Sequence, residues 1–224
     1  MKVPGIDYFS KGHPLRRPAS AVSLYVRRRM FNFFMEVMQP GPGDMVLDVG
    51  VTPDQELPES NFFEDYYPYK TRLVTSSFED ASFLQQKYPG VTFVKTGKSG
   101  LPFKSKSFDI VFCSAVLEHA GTKYDQENLI KELLRVGKSF FVITPNRWFP
   151  LEFHTLLPLV HWLPQNMHQR ILALMGMSFW ARTENLNLLS VNKLSSFFPS
   201  GINFQVKKQR LLGLTSNLIV YGKA

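Results

Sequence analysis

The 224-residue chain predicts an α/β fold built on a mainly parallel sheet, and three observations predict it. Short apolar runs that read as strands alternate with stretches of helical period. Residues 108–115 (FDIVFCSA) form a run apolar enough to be a central strand buried on both faces. The chain ends in two strand-like runs joined by a short turn, the pattern of a terminal hairpin. Strands that alternate with helices imply a sheet wound on both faces, and the length favours a single domain over residues 1–224.

Each element has its own justification. Residues 1–19, rich in Gly, Pro and Arg, read as an extended basic arm. Over residues 20–39, Val22, Val26, Met30, Phe33, Phe34, Val37 and Met38 recur at three- and four-residue steps, predicting an amphipathic helix. Pro40-Gly41-Pro42-Gly43 stops it. Residues 45–49 enter Gly50 as a buried strand, and residues 72–75 are a weaker one. A helix-like stretch over 80–88 ends at Pro89-Gly90, and 91–95 is the next strand. After the central run, 125–136 is helical in period and 139–144 is a strand stopped by Pro145-Asn146. Residues 203–212 and 217–222 form the hairpin around a turn at 213–216.

One segment departs from the alternation. Residues 153–181 carry a single formal charge, Arg170, and hold Trp162 and Trp180, with Trp148 just before. Pro158 and Pro164 break the stretch into short pieces. It is too short and too polar to span a bilayer. It reads as a helical insertion over 148–190, serving as a lid over a pocket or as a partner-binding surface.

Composition bounds the function. Hydrophobic residues at 44% are too many for a disordered chain. No apolar run of about 20 residues predicts a transmembrane helix, and the N-terminus lacks the apolar core of a secretory signal. Cys113 is the one cysteine, which excludes an internal disulfide and thiolate metal clusters. A cytoplasmic protein is expected. The formal net charge of +8 is concentrated early, where Lys2, Lys11, Arg16, Arg17, Arg27, Arg28 and Arg29 face only Asp7. Such an arm suits an anionic membrane surface, an acidic substrate or nucleic acid. A solvated basic helix face explains it equally simply, and no nucleic-acid-binding motif accompanies it.

Doubly wound sheets bind ligands at the carboxyl ends of their strands, so the end of the first strand is where a ligand is expected. There the sequence runs Val46-Leu47-Asp48-Val49-Gly50-Val51-Thr52-Pro53-Asp54. A dinucleotide fingerprint needs two further glycines, and Thr52 and Gln55 stand at those places. NAD and FAD are therefore disfavoured, and ATP likewise for want of a glycine-rich loop ending in Lys-Ser/Thr.

Asp48-Val49-Gly50, the tripeptide Leu101-Pro102-Phe103, and Ser107-Phe108-Asp109-Ile110-Val111 running into Val116-Leu117-Glu118-His119 resemble class I S-adenosylmethionine-dependent methyltransferases of the small-molecule type. Thr144-Pro145-Asn146-Arg147-Trp148 is similar to the same family. The resemblance implies a Rossmann-like sheet of seven strands, antiparallel at its C-terminal hairpin, with S-adenosylmethionine as cofactor. It implies that Asp48, Val49, Gly50, Thr52 and Asp54 line the methionine end. Glu79 or Asp80 would take the ribose hydroxyls, Gly97, Lys98 and Leu101 would flank adenine, and Ser114 and Ala115 would begin the wall beside the sulfonium, which runs on to Glu118. The chain departs from the family spelling at three places: Thr52 and Asp54 replace loop glycines, Thr75-Ser76-Ser77 stands where an acid commonly ends the second strand, and Gly97 stands where an aspartate commonly meets adenine.

Methyl transfer needs mainly alignment of nucleophile, methyl and sulfur, and a base only for a hydroxyl acceptor. His119 or His154 is the expected base, with Glu118 orienting it. The apolar insertion suggests an amphiphilic, lipid-like or lipid-linked small acceptor, and the arm a peripheral contact with an anionic membrane. Two alternatives stand beside this: a catalytically degenerate binding protein, favoured by the replaced glycines, and an RNA methyltransferase, favoured by charge. Simpler roles also apply residue by residue: Asp48 as a helix cap, Glu79 and Asp80 as an acidic helix start, Cys113 as a small buried hydrophobe. No metal is expected, because His154, His161 and His168 stand seven residues apart, about 10 Å along a straight helix.

Overall fold

The computed structural model describes residues 16–97 and 100–224. Seven strands form one sheet in the order β3-β2-β1-β4-β5-β7-β6: β1 Val46–Val49, β2 Leu73–Ser77, β3 Thr92–Lys95, β4 Phe108–Ser114, β5 Gly137–Pro145, β6 Phe204–Leu211 and β7 Leu214–Lys223. β1 pairs in parallel with β2 and β4, and β2 with β3, whereas β6 and β7 run antiparallel. The helices are α1 Arg16–Met38, α2 Phe62–Tyr66, α3 Leu84–Lys87, α4 Lys123–Val136, α5 Gln165–Leu174 and α6 Val191–Ser195. The doubly wound sheet with a terminal hairpin is thus the fold that the alternation of runs predicts. The chain divides into two compact units, residues 1–113, 133–141 and 224, and residues 114–132 and 142–223.

The first unit is organised around aromatic rings. Val26, Met30 and Phe34 repeat every four residues on α1, so they share one face, and all three are buried. Phe34 meets Phe63, Phe112 and Phe141 edge-on at 5.1, 5.4 and 5.3 Å, and Phe63 stacks on Phe112 at 4.1 Å. Offset and edge-to-face rings of this kind add about 0.5–1.5 kcal/mol per pair beyond their burial. The helix begins at Arg16, so the last four residues of the expected arm are helical; Pro18 is compatible with a first turn, where a missing N–H costs no bond. Residues 1–15 lie outside the described residues. Part of the basic face rests on protein: Arg27 lies over the Phe62 ring at 5.0 Å and Arg28 over Tyr66 at 5.7 Å.

The first unit also departs from the sequence expectation along α2, β2 and α3, as the hairpin does in its turn, which lies at 212–213 rather than 213–216. α3 is one turn rather than the whole of 80–88, because Asp80 accepts a bond from the Ser82 N–H at 3.0 Å and holds a turn instead. β2 runs on through Ser77, giving polar Ser76 and Ser77 to the strand end. Helix α2 has no counterpart in the sequence pattern, since its five residues are too few to show a period.

The second unit contains the insertion and the hairpin. Leu211 pairs with Leu214, so the hairpin turn is the two residues Leu212 and Gly213, both with positive φ (50° and 81°), as a type I′ turn requires. The loop after β4 is clamped from within. Gln126 Nε2 donates to the carbonyls of Leu117 and Asn187 at 2.9 Å each, and Asn187 Nδ2 donates to Gly121 O at 2.8 Å. Among the described residues, no helix is long and apolar enough to cross a membrane.

Candidate functional site

In the second unit β4 ends at Ser114, and Ala115 takes a left-handed conformation (φ 57°) while its N–H bonds Ile143 O at 3.0 Å. That turn delivers Leu117–His119 as a single 3-10 turn, with Glu118 fully buried. Glu118 Oε2 accepts a bond from Thr144 Oγ1 at 3.0 Å. The insertion brings His154 to the same place. The two rings meet Nε2 to Nε2 at 3.1 Å, and Glu118 Oε1 stands 4.0 Å from His119 Nε2. Residues 118, 119 and 154, two from the β4 loop and one from the insertion, thus form one cluster.

Hydrogen bonds fix both rings. His119 Nδ1 lies 2.6 Å from Asn185 O, and a carbonyl only accepts, so Nδ1 carries the proton. His154 Nδ1 lies 2.5 Å from Glu152 Oε1, which also accepts the His154 backbone N–H at 2.9 Å. The other oxygen of Glu152 accepts Thr155 N and Oγ1 at 2.7 and 2.8 Å. Burial opposes the charge on Glu152, but these donors and the His154 ring outweigh it and hold the carboxyl down at about 2. Burial, with His154 alongside, lowers His119 to about 3, against the pull of Asn185 O, so that ring is neutral at pH 7. Trp180 borders both imidazoles, with centroids 6.0 Å from His119 and 5.0 Å from His154.

Glu152, not foreseen from sequence, is the acid that orients His154. Its signal is local: in Glu152-Phe153-His154-Thr155 an acid two residues before a histidine can bond that residue's own N–H and ring. His161 and His168, by contrast, are buried packing residues. His161 Nε2 sits 2.8 Å from Phe149 O, and burial lowers the pKa of both.

In the first unit the expected cofactor residues divide into those engaged by the protein itself and those left available. Gly50 has φ 98°, a conformation glycine adopts at no steric cost, and its N–H bonds Ser76 O at 2.7 Å. Thr52 N and O are both held by the Asn61 amide at 2.9 Å, which shapes the loop that the missing glycines would otherwise shape. Asp54 is an organiser of the same loop: its Oδ2 accepts Leu57 N at 3.0 Å and Ser60 Oγ at 2.5 Å. Asp80 is exposed and committed to its turn. Glu79 is half-buried, its side chain takes no hydrogen bond from the described residues, and burial raises its pKa. Leu101 O and Phe103 O are bound by the Arg135 guanidinium at 2.9 and 2.7 Å, which explains why the Leu-Pro-Phe loop is fixed. Gly97 bridges Gly100. Lys98 lies outside the described residues.

Asp48 and Glu64 form a buried carboxyl pair. Val49 follows as a buried strand residue, while Asp48 is turned to α2, where it and Glu64 are in hydrogen-bonding contact. No donor among the described residues reaches either Oε of Glu64, so their contact needs a proton on the pair. Burial raises both pKa values, and each carboxylate's charge opposes the other's in Glu64, whose pKa stands well above normal. A buried acidic pair at the first strand's end, and an available Glu79 beyond the second, suit a cationic ligand with ribose hydroxyls.

Residues 47–140 match the family model described as a methyltransferase domain. No curated protein matches the chain by sequence. Among solved structures, magnesium protoporphyrin IX methyltransferase from Synechocystis PCC 6803 shares 13% identity, with 97% of this chain and 91% of that chain covered at a TM-score of 0.61. Geranyl diphosphate C-methyltransferase from Streptomyces coelicolor A3(2) shares 11%, covering 98% and 90%, at 0.58. A SAM-dependent methyltransferase from Aquifex aeolicus shares 11%, covering 92% and 97%, at 0.52. Those likenesses establish the fold, and the stretch from 47 to 140, within that fold, is similar to a methyltransferase domain.

Proposed function

We propose that the protein is a class I methyltransferase that moves the methyl group of S-adenosylmethionine to the hydroxyl of a small amphiphilic acceptor. One observation carries this reading. Phe179, 46% exposed, packs edge-on against Trp180 at 4.9 Å, and Trp180 borders both His119 and His154. An apolar surface therefore leads directly to a polar cluster inside one unit, which is the complement of an amphiphile. Trp148, Leu159, Trp162, Met167 and Leu174 add exposed apolar area to the same insertion. Large apolar acceptors suit the fold, since two neighbours are named for magnesium protoporphyrin IX and geranyl diphosphate.

S-adenosylmethionine supplies an already activated methyl on a cationic sulfonium. Glu79 is the side chain assigned to the ribose hydroxyls, Gly50 with Asp48 and Val49 to the methionine end, and Gly97, Lys98 and Leu101 to adenine. Thr52 and Asp54 shape that loop rather than touch the ligand. Ser114 ends β4 and Ala115 follows it, leading into the turn that carries Glu118 and His119. In an in-line displacement the acceptor oxygen's lone pair forms the new bond to carbon as the carbon–sulfur pair leaves on sulfur. The acceptor's proton must also leave, and His119 and His154 with Glu118 are assigned to help it do so. Glu152 and Asn185 O hold the two Nδ1 atoms, which leaves the Nε2 atoms for that task.

Methyl transfer from labelled cofactor to a series of phenols with lengthening alkyl chains tests this. Each methylene buried contributes about 0.8 kcal/mol, so kcat/KM should rise about threefold to fourfold per carbon over the first few carbons. Phe179→Ser should flatten the rise. An activity independent of chain length refutes the amphiphile. The same reading places the protein in the cytoplasm, with its basic N-terminal arm against anionic membrane. Binding to acidic vesicles should weaken as salt is raised and on removal of residues 1–15, and identical binding without them removes the arm's role.

A further inference from the structure

We infer that Glu118, His119 and His154 form a binding site for one divalent transition-metal ion, zinc being the best match. The inference rests on the proposed methyl transfer for its purpose but not for its existence.

Three features of the cluster carry it. First, the ligand atoms converge. One oxygen of Glu118 and one nitrogen from each ring lie within 4.8 Å of one another, with the two nitrogens already at a shared-ion spacing and the carboxylate having to close by about 1 Å to join them. Two imidazole nitrogens on one ion, each about 2.0–2.1 Å from it, stand about 2.9–3.4 Å apart for angles between octahedral and tetrahedral. The observed separation of 3.1 Å falls inside that interval. Second, the rings are held as metal-binding histidines are held. Each Nδ1 faces an outer acceptor, Asn185 O for one ring and Glu152 for the other, so the two Nε2 atoms are turned toward the same point, where a cation can take the place of the proton they otherwise share. Two facing lone pairs at that distance repel unless a proton or a cation stands between them. Third, the carboxylate is itself oriented: Thr144 holds Oε2, which leaves Oε1 on the side of His119.

The donor set selects the ion. Two imidazoles and one carboxylate suit Zn²⁺ and its borderline neighbours Fe²⁺ and Co²⁺, whereas Mg²⁺ and Ca²⁺ prefer all-oxygen sites. Three protein ligands leave at least one position for an outside oxygen. An acceptor hydroxyl in that position would lose its proton more readily, because the ion's charge stabilises the oxyanion. The histidines then help the proton leave as ligands rather than as bases. The spacing of His154, His161 and His168 argues against a metal within the insertion alone; the fold instead pairs His154 with a residue 35 positions earlier.

The test is direct metal binding by the full-length, untagged protein after chelator treatment. Calorimetric titration with Zn²⁺ should give one site, and Co²⁺ should give the visible absorption of a low-symmetry, nitrogen-containing site. Glu118→Gln, which preserves shape and the Thr144 contact, and His154→Ala should each weaken Zn²⁺ at least tenfold. Glu152→Gln, which touches no ion, should weaken it about 10–100-fold through loss of the outer hydrogen bond. Circular dichroism and a cooperative urea-unfolding transition show that each variant is folded. Absence of a one-to-one site in the wild type, or equal affinity in all four proteins, overturns the inference. Zinc binding without any methyl transfer would instead remove the proposed reaction and leave the metal site standing.

Discussion

Replacing Glu64 with Gln should make stability less sensitive to rising pH. Asp48 and Glu64 are buried against each other, and burial pushes Asp48 up to about 7 and Glu64 well above its ordinary value. A carboxyl whose folded pKa is raised binds more protons in the folded than in the unfolded state. Its contribution is therefore intact below the unfolded pKa, near 3.8 for Asp48, and is lost as pH climbs through the folded value near 7. Each proton so retained makes stability fall by about 1.4 kcal/mol per pH unit within that window. The introduced glutamine donates an amide hydrogen to Asp48 without needing a shared proton. The variant's stability relative to wild type should thus climb from pH 5 to pH 7, by about 3 kcal/mol at most for one proton. At about 2–4 °C per kcal/mol for a chain of this size, the Tm difference should shift by about 6–12 °C. His119, His161 and His168 have lowered pKa values, which impose the opposite slope below about pH 6.5. They are common to both proteins and cancel in the difference. Urea unfolding of both proteins at four pH values is the assay. Parallel stability curves across pH 5–7 refute the shared proton.

Other expectations follow from single contacts. Glu79→Ala should weaken S-adenosylmethionine about tenfold to hundredfold, the worth of one or two charged hydrogen bonds, while Asp80→Ala should leave affinity within twofold; calorimetry measures both. Phe34→Ala empties the centre of the ring cluster and should cost about 3–5 kcal/mol in denaturant unfolding. Gln126→Leu leaves the buried Asn187 carbonyl without its donor and Leu117 O with only the Ala120 N–H, and should cost about 1–3 kcal/mol by the same assay.

Much of the fold was legible because it rests on local pattern. The four-residue repeat of Val26, Met30 and Phe34 marks α1, and the apolar run at 108–114 marks the central strand. The site was legible in pieces. Asp48-Val49-Gly50 and Leu117-Glu118-His119 announce themselves as short motifs, and His154 stands out at the start of the insertion. What sequence could not convey was pairing at a distance. Asp48 meets Glu64 through a five-residue helix with no readable period, and Glu152 acts through a hydrogen bond to a ring whose partner lies 35 residues away. Nor could sequence convey that Asp54 and Asp80 accept hydrogen bonds from N–H groups of their own short loops.

The insertion carries two things at once, the supports of the histidine pair and a set of exposed apolar side chains. Glu152, His154, Trp180 and Asn185 all belong to the segment that presents the exposed apolar side chains. A wholesale exchange of residues 148–190 for those of a methyltransferase would carry away the supports of His119 along with the acceptor surface. Only the stretch between Leu156 and Phe179 can be traded for new specificity while both rings keep their bearings. Under the proposed function, chimeras cut there should inherit the donor's acceptor preference and keep the histidine pair, whereas chimeras cut at Trp148 should lose the pair's supports.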